Sequence, residues 1–159
     1  YVGADSLEAN TGRLLKLDSA SSQGTSGPVY AFEGEVLLYS KIRPYLNKLS
    51  LVDLKGYCSS DMYPLRLNKE KVNPTYLANF MLSEAFNNAI KGFYERASIP
   101  KINRAQLFSV RVPVPQLEVQ QAIAVELKEE QALIESNIEL IRRFEGKITA
   151  VIERVWGQG

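Results

Sequence analysis

Gly34-Glu35-Val36-Leu37-Leu38-Tyr39-Ser40-Lys41-Ile42-Arg43-Pro44-Tyr45-Leu46-Asn47-Lys48 runs a short apolar strand straight into a cluster of three cations, two hydrogen-bonding side chains and a tyrosine. Lys41, Arg43 and Lys48 can neutralise phosphates, while Ser40, Tyr45 and Asn47 can bond to backbone or bases, as nucleic-acid surfaces require. Around this block, Val29 to Phe32, Glu35 to Tyr39, Lys48 to Leu54 and Met62 to Leu67 are short, rich in aliphatic and aromatic residues and separated by turn formers. They read as the strands of a sheet. Arg13 to Leu17 alternates weakly and reads as a further strand, whereas Asp18 to Pro28 is a Ser/Gly/Thr/Gln run without apolar periodicity and reads as a loop.

Asn73-Pro74 opens a helix, with the asparagine as N-cap and the proline at the first helical position. Leu77, Phe80, Met81 and Phe86 give that helix an apolar face to cover the sheet, and Gly92 marks its end. A polar loop follows from Gly92 to Pro100, then a single helical turn over Asn103 to Leu107. Ser109 to Pro115 alternates at period two and reads as a last strand, placed at an edge by its prolines. From Gln116 to Trp156 the chain reads as one long helix. Leu127, Ile134, Ile141, Ile148 and Val155 recur every seven residues, and Leu117, Ala124, Ile138 and Ile152 fill most of a second seam. Gln120 breaks the first seam; Gln131 and Glu145 break the second. At about 1.5 Å per residue such a helix is about 60 Å long, so part of its seam needs a partner outside the globular core. The expected class is α+β: a twisted mixed β-sheet domain with packed helices over residues 1–115, then one coiled-coil-type helix over 116–157.

The 159 residues suit one domain plus an extended element, and 45% apolar with 23% charged residues argues against disorder. No window approaches the roughly 18 apolar residues of a membrane span, and no signal-peptide pattern is present. The chain opens at Tyr1 rather than Met, which suits a domain cut from a longer polypeptide. A single cysteine, Cys58, excludes an internal disulfide framework and fits a reducing cytoplasm. With no histidine, neither a zinc site nor a histidine-based triad can be built. Residues 1–115 carry 14 Lys/Arg against 10 Asp/Glu, and residues 116–159 carry 5 against 8. A basic globular part joined to an acidic helix suits a nucleic-acid face beside a protein-contacting arm. Ordinary variation between solvated surfaces produces the same asymmetry, so charge alone does not separate the two readings.

Catalytic constellations fare poorly. Asn73-Pro74-Thr75-Tyr76 is close to the Asn-Pro-Pro-Tyr box of amino-group methyltransferases but lacks its second proline and any glycine-rich cofactor loop; helix capping explains it better. Ser40-Lys41 leaves only a serine–lysine dyad, and neighbours on a strand point to opposite faces. Cys58 has no imidazole to lower its pKa and reads as a buried structural thiol. No phosphate loop is present. Two basic clusters remain, Lys41/Arg43/Lys48 and Arg96/Lys101/Arg104, the latter beside Phe93 and Tyr94. Base reading suits Ser21, Ser22, Gln23, Arg96 and Asn103 in the irregular loops, while phosphate contacts position the protein.

Taken in order, these blocks resemble the specificity (S) subunit of type I restriction–modification enzymes. Tyr1-Val2-Gly3-Ala4-Asp5-Ser6-Leu7-Glu8 with Thr11-Gly12 looks like the start of a target recognition domain. Gly34 to Leu37 with Ser40 to Lys48 is similar to its most recognisable block, and Cys58 to Asp61 with Tyr63 to Arg66 matches the next strand. Ile99-Pro100-Lys101-Ile102, then Val112 to Gln121, resembles the exit into the family's conserved helix. Gln116 stands where the family usually has a second proline, Val119 where it has an acid, and a glycine often found near Ala97 is missing.

The resemblance implies a non-catalytic module that reads double-stranded DNA through Ser40, Lys41, Arg43, Tyr45, Asn47, Lys48, Gln23, Tyr94, Arg96, Lys101 and Asn103. It implies subunit contacts through Leu127, Ile134, Ile138, Ile141, Ile148, Ile152 and Val155. A full S subunit has two recognition domains separated by two long helices that act as a ruler between half-sites and dock methyltransferase subunits; restriction subunits join them. On this plan the chain itself holds no cofactor or metal, and S-adenosylmethionine belongs to the methyltransferase, which flips and methylates adenine. Holding one domain and one helix, the chain is a fragment, a half-length subunit that self-associates, or the recognition domain of a fused methyltransferase. A coiled-coil adaptor whose globular part binds protein is the alternative.

Overall fold

The computed structural model describes residues 1–17, 27–95 and 98–156. Two compact units divide the chain, Tyr1–Gln121 and Ala122–Gly159. The class is α+β. The first unit contains strands β1 (Val29–Phe32), β2 (Glu35–Ser40), β3 (Leu49–Asp53), β4 (Gly56–Ser59) and β5 (Met62–Leu65), then helices α1 (Pro74–Leu82), α2 (Glu84–Lys91) and α3 (Arg104–Ser109). Helix α4 (Leu117–Trp156) begins in it. β1 and β4 pair antiparallel, and β3-β2-β5 form a second antiparallel sheet. A parallel bridge joins Val2 to Cys58.

β2 organises this unit. Its residues Val36 to Ser40 are all buried, and because side chains alternate across a strand the run feeds two cores. Leu37 and Tyr39 pack with Leu49, Ala78, Met81, Phe86, Ile90, Ile102 and Leu107. Val36 and Leu38 pack on the other side with Val2, Leu7, Phe32, Val52, Cys58 and Met62. Tyr39 meets Phe86 edge to face at 6.1 Å, a geometry favoured by the ring quadrupoles.

The helix that starts at Asn73 is capped as its sequence requires, Asn73 Oδ1 accepting from Tyr76 N–H at 3.1 Å. It does not continue to Gly92. Ser83 leaves helical geometry at ψ 158° and caps α2 by accepting from Phe86 N–H, so the predicted single helix is two. Three other expectations change. Arg13–Leu17 forms no strand; only Leu14 bridges, to Leu7. Gly56–Ser59 is a strand that its glycine and serine concealed. The expected strand Ser109–Pro115 does not form: Ser109 ends α3, and residues 110–115 pair with no strand among the described residues; Pro113 and Pro115 cannot donate, and Tyr76 Oη–H donates to Pro113 O at 2.9 Å to hold the segment.

Gln120, a break in the first heptad seam, is fully buried. Its Oε1 accepts from Asn73 N–H at 2.8 Å, and its Nε2 donates to Lys71 O at 3.2 Å and Pro115 O at 2.7 Å. The polar residue is thus a strut between the first turns of α4 and the entry to α1. Gln120→Leu restores the apolar heptad but removes the partner of a part-buried N–H and two carbonyls, and should cost about 1–2 kcal/mol in urea unfolding; a more stable variant would refute the strut.

Candidate nucleic-acid interface

Members of the two basic clusters, Lys41 and Arg43 from one and Lys101 from the other, meet in space. Arg43 N–H donates to Pro100 O and Ile102 N–H to Lys41 O, both at 2.9 Å, and Ile42 bridges Lys101 antiparallel. Between them opens a cleft of about 790 Å³, lined among others by Arg43, Tyr45, Asp61 and Lys101. The turn that presents Arg43 and Tyr45 is a 3-10 helix, Pro44–Leu46, flanked by Arg43 at φ 46° and Asn47 at φ 41°. Left-handed geometry is tolerable for asparagine but costly for arginine, and such strain clusters at functional sites.

Exposure sorts the predicted contacts. Asn47 is fully buried, donating through Nδ2 to Met81 O at 2.8 Å, and Ser40 is 1% exposed, its hydroxyl donating to Ile42 O at 3.2 Å. Both were read as DNA contacts; buried this way they instead fasten the loop. Lys48 is largely withdrawn, donating to Ala4 O at 2.9 Å with Asp5 at 3.9 Å. Lys41 lies 4.0 Å from Asp61 and 5.5 Å from the Tyr63 ring centre, with its side chain 13% exposed. Lys101 reaches the same carboxylate at 4.0 Å but is half exposed.

The accessible members are Arg43, Tyr45, Lys101 and Asn103, with Tyr94 partly exposed. Tyr94 leans on Tyr45 at 6.3 Å between centroids. The side chain of Asn103 is engaged in a reciprocal capping box with Gln106 at 2.9 Å each way. Gln23 and Arg96 lie outside the described residues. Missed from the sequence were Asp61, which holds two lysines, and Tyr63, which lies under one. Their roles follow from the β2–β5 register, Ser40 opposite Met62, a pairing that no local pattern announces.

Chemically the surface offers two phenol rings and two cations, the Lys101 ammonium and the Arg43 guanidinium, the latter on a left-handed backbone. It can bind polyanions and stack on planar groups. No group of three or more His, Cys, Asp or Glu suited to a metal occurs among the described residues. Cys58 is buried, and that burial pushes its thiol up to about 11. In the helix of the second unit, Ile134, Ile141, Ile148, Ile152 and Val155 are each at least half exposed, while Leu127 and Ile138 are half-buried. No helix among the described residues is long and apolar enough to cross a membrane.

Residues 19–145 match the family model described as type I restriction modification DNA specificity domain. The chain is 31% identical over 123 residues to the type I restriction enzyme EcoDI specificity subunit of Escherichia coli. That match covers 77% of the chain and 27% of the relative. Its fold is similar to the HsdS subunit of Thermoanaerobacter tengcongensis, with TM-score 0.72 and 22% identity over 98% of this chain and 40% of that one. A chain from a study of complex assembly and conformational transition in the type I R-M system gives TM-score 0.70 at the same identity and coverage. The chain therefore spans well under half the length of these relatives.

Asn47→Ala should destabilise the fold by about 1–3 kcal/mol, the cost of an unpaired buried group, whereas Tyr45→Ala at the surface should stay within about 0.5 kcal/mol; equal effects in urea titrations would contradict the sorting. For Cys58 the folded thiol titrates above its ordinary value of 9.0. Its contribution is full below that pH and is lost as pH rises toward 11, because the unfolded thiol ionises first. Alkylation by iodoacetamide at pH 8 should be far slower in native than in urea-unfolded protein.

Proposed function

Because its residues 19–145 match that family's model, the chain belongs to the type I restriction modification DNA specificity domain family, and we propose that it reads one half of a bipartite duplex-DNA site. The observation that carries this reading is the cleft where Arg43, Tyr45 and Lys101 converge from two separate sequence blocks. Arg43 and Lys101 neutralise phosphates and set the register; Tyr45 with Tyr94 supplies a planar, hydrogen-bonding surface toward the groove. Lys41 contributes field rather than contact, since its side chain is largely buried where that of Lys101, at the same distance from Asp61, is half exposed. The chain performs no chemistry itself. It directs an adenine-N6 methyltransferase subunit, which carries S-adenosylmethionine, and a restriction subunit to the half-site. The exposed isoleucines of α4 serve as the contact with those subunits, a second repeat or another copy.

The test is methylation profiling of DNA from cells carrying the full-length protein and its methyltransferase, with and without Arg43→Ala/Lys101→Ala. A specific N6-methyladenine motif should fade in the double variant while the complex still assembles. Purified complex should lose affinity steeply as salt rises, and less steeply by a slope of up to about 2 after two phosphate contacts are removed. No motif from an assembled, cofactor-competent complex would instead favour a protein-binding adaptor.

A further inference from the structure

A second hollow of about 370 Å³ lies in the first unit and shares Tyr63 with the basic surface through the Lys41 contact. Its floor reaches the core at Leu77, Met81 and Leu107, and Phe108, 69% exposed, stands at its wall. Among the described residues no Asp or Glu lines it, but Arg66 and Arg104 do. Both residues are exposed, and neither has an ion-pair partner among the described residues. The lysines of the neighbouring cleft, by contrast, each face an acid within 4.0 Å.

Val110 and Val112 form another side of the hollow. They belong to the stretch between α3 and α4, which pairs with no strand among the described residues; Val110 is extended at ψ 126°, and the following prolines bias Val112 and Val114 the same way. Among the described residues, the main-chain N–H groups of Arg111, Val112 and Val114 have no acceptor, and the stretch is exposed or half-buried. An extended backbone with free donors beside an apolar hollow is how a peptide is captured as an added strand: main-chain bonds give affinity, and alternate side chains enter pockets. Unpaired guanidiniums set the charge of what binds. A nucleobase fits less well as the buried group, because its edge needs hydrogen-bond partners and the side chains of Leu77, Met81, Phe86 and Leu107 offer none.

We infer that this groove binds an extended acidic segment of a partner protein, laid along Val110 to Val114 with one apolar side chain in the hollow and carboxylates on Arg66 and Arg104. The inference is independent of DNA reading. The test uses the full chain and three fluorescein-labelled peptides: one alternating glutamate with valine and phenylalanine, its lysine counterpart, and the acidic peptide with alternate amides N-methylated. By anisotropy the acidic peptide should bind about tenfold or more tighter than the lysine one, and N-methylation should remove binding. Arg66→Glu/Arg104→Glu should weaken it about tenfold or more. Val112→Pro, which deletes one donor, should do the same, each variant keeping its far-ultraviolet circular dichroism; Tyr45→Ala should change nothing. Equal binding of acidic and basic peptides, no binding by any of the three, or indifference to both groove variants overturns the inference. So does a result in which no peptide binds yet the groove variants weaken duplex-DNA binding, which would assign the groove to the DNA surface.

Discussion

Burial of β2 on both faces is the constraint from which the first unit is built. A strand covered on one side can slip by two residues and keep its pattern; one whose alternate side chains fill two different cores has far less freedom. Leu37 and Tyr39 must meet α1, α2 and α3, while Val36 and Leu38 must meet the N-terminal segment and the two-stranded β1–β4 sheet. The register with β3 and β5 is set by that double demand. So is the point where the strand ends and Lys41 emerges beside Asp61.

The loop after β2 turns a basic sequence into a surface with selected charges. Lysines are long, strongly hydrated point charges, and here three of them are tethered by carboxylates or carbonyls at the edges of the cleft. Arg43, the cleft's remaining cation, has no ion-pair partner among the described residues, and its planar fork suits bidentate recognition. Arg43 is additionally held at positive φ between the backbone bond to Pro100 and the ring of Pro44, a conformation that only the surrounding pairing sustains. The cost of that geometry makes sense if the direction of one guanidinium matters more than local comfort.

The strands around Gly34–Lys48, the Asn73 cap and the long helix were legible because each rests on local chemistry: apolar runs between turn formers, a side chain that accepts a helix N–H, a seven-residue repeat. The family blocks were legible for the same reason, as ordered motifs. The division of Ser40–Lys48 into buried and exposed members was not. Ser40 and Asn47 look like ideal DNA contacts by type, yet one turns back to Ile42 and the other reaches a carbonyl 34 residues away at Met81. Only the tertiary meeting of the loop with α1 decides that, and the meeting of Ile42 with Lys101 likewise lies beyond any window of sequence.

The stretch from Val110 to Gln120 joins these lessons. Its period-two pattern is real, but Pro113 and Pro115 withhold donors, Tyr76 occupies the Pro113 carbonyl, and no strand among the described residues pairs with it. Immediately after it, Gln120 sits where the heptad asks for an apolar residue. Both departures concern backbone polar groups. At Gln120 the amide satisfies an N–H and two carbonyls that the α1 entry and the end of the proline segment would otherwise bury unpaired. In the proline segment the remaining N–H groups are left at the surface, where water satisfies them at little cost. A chain that seals one set of groups inside and leaves the adjacent set accessible has a rigid joint next to an open edge. That combination favours strand capture, because an edge already held extended loses little conformational freedom when a partner pairs with it.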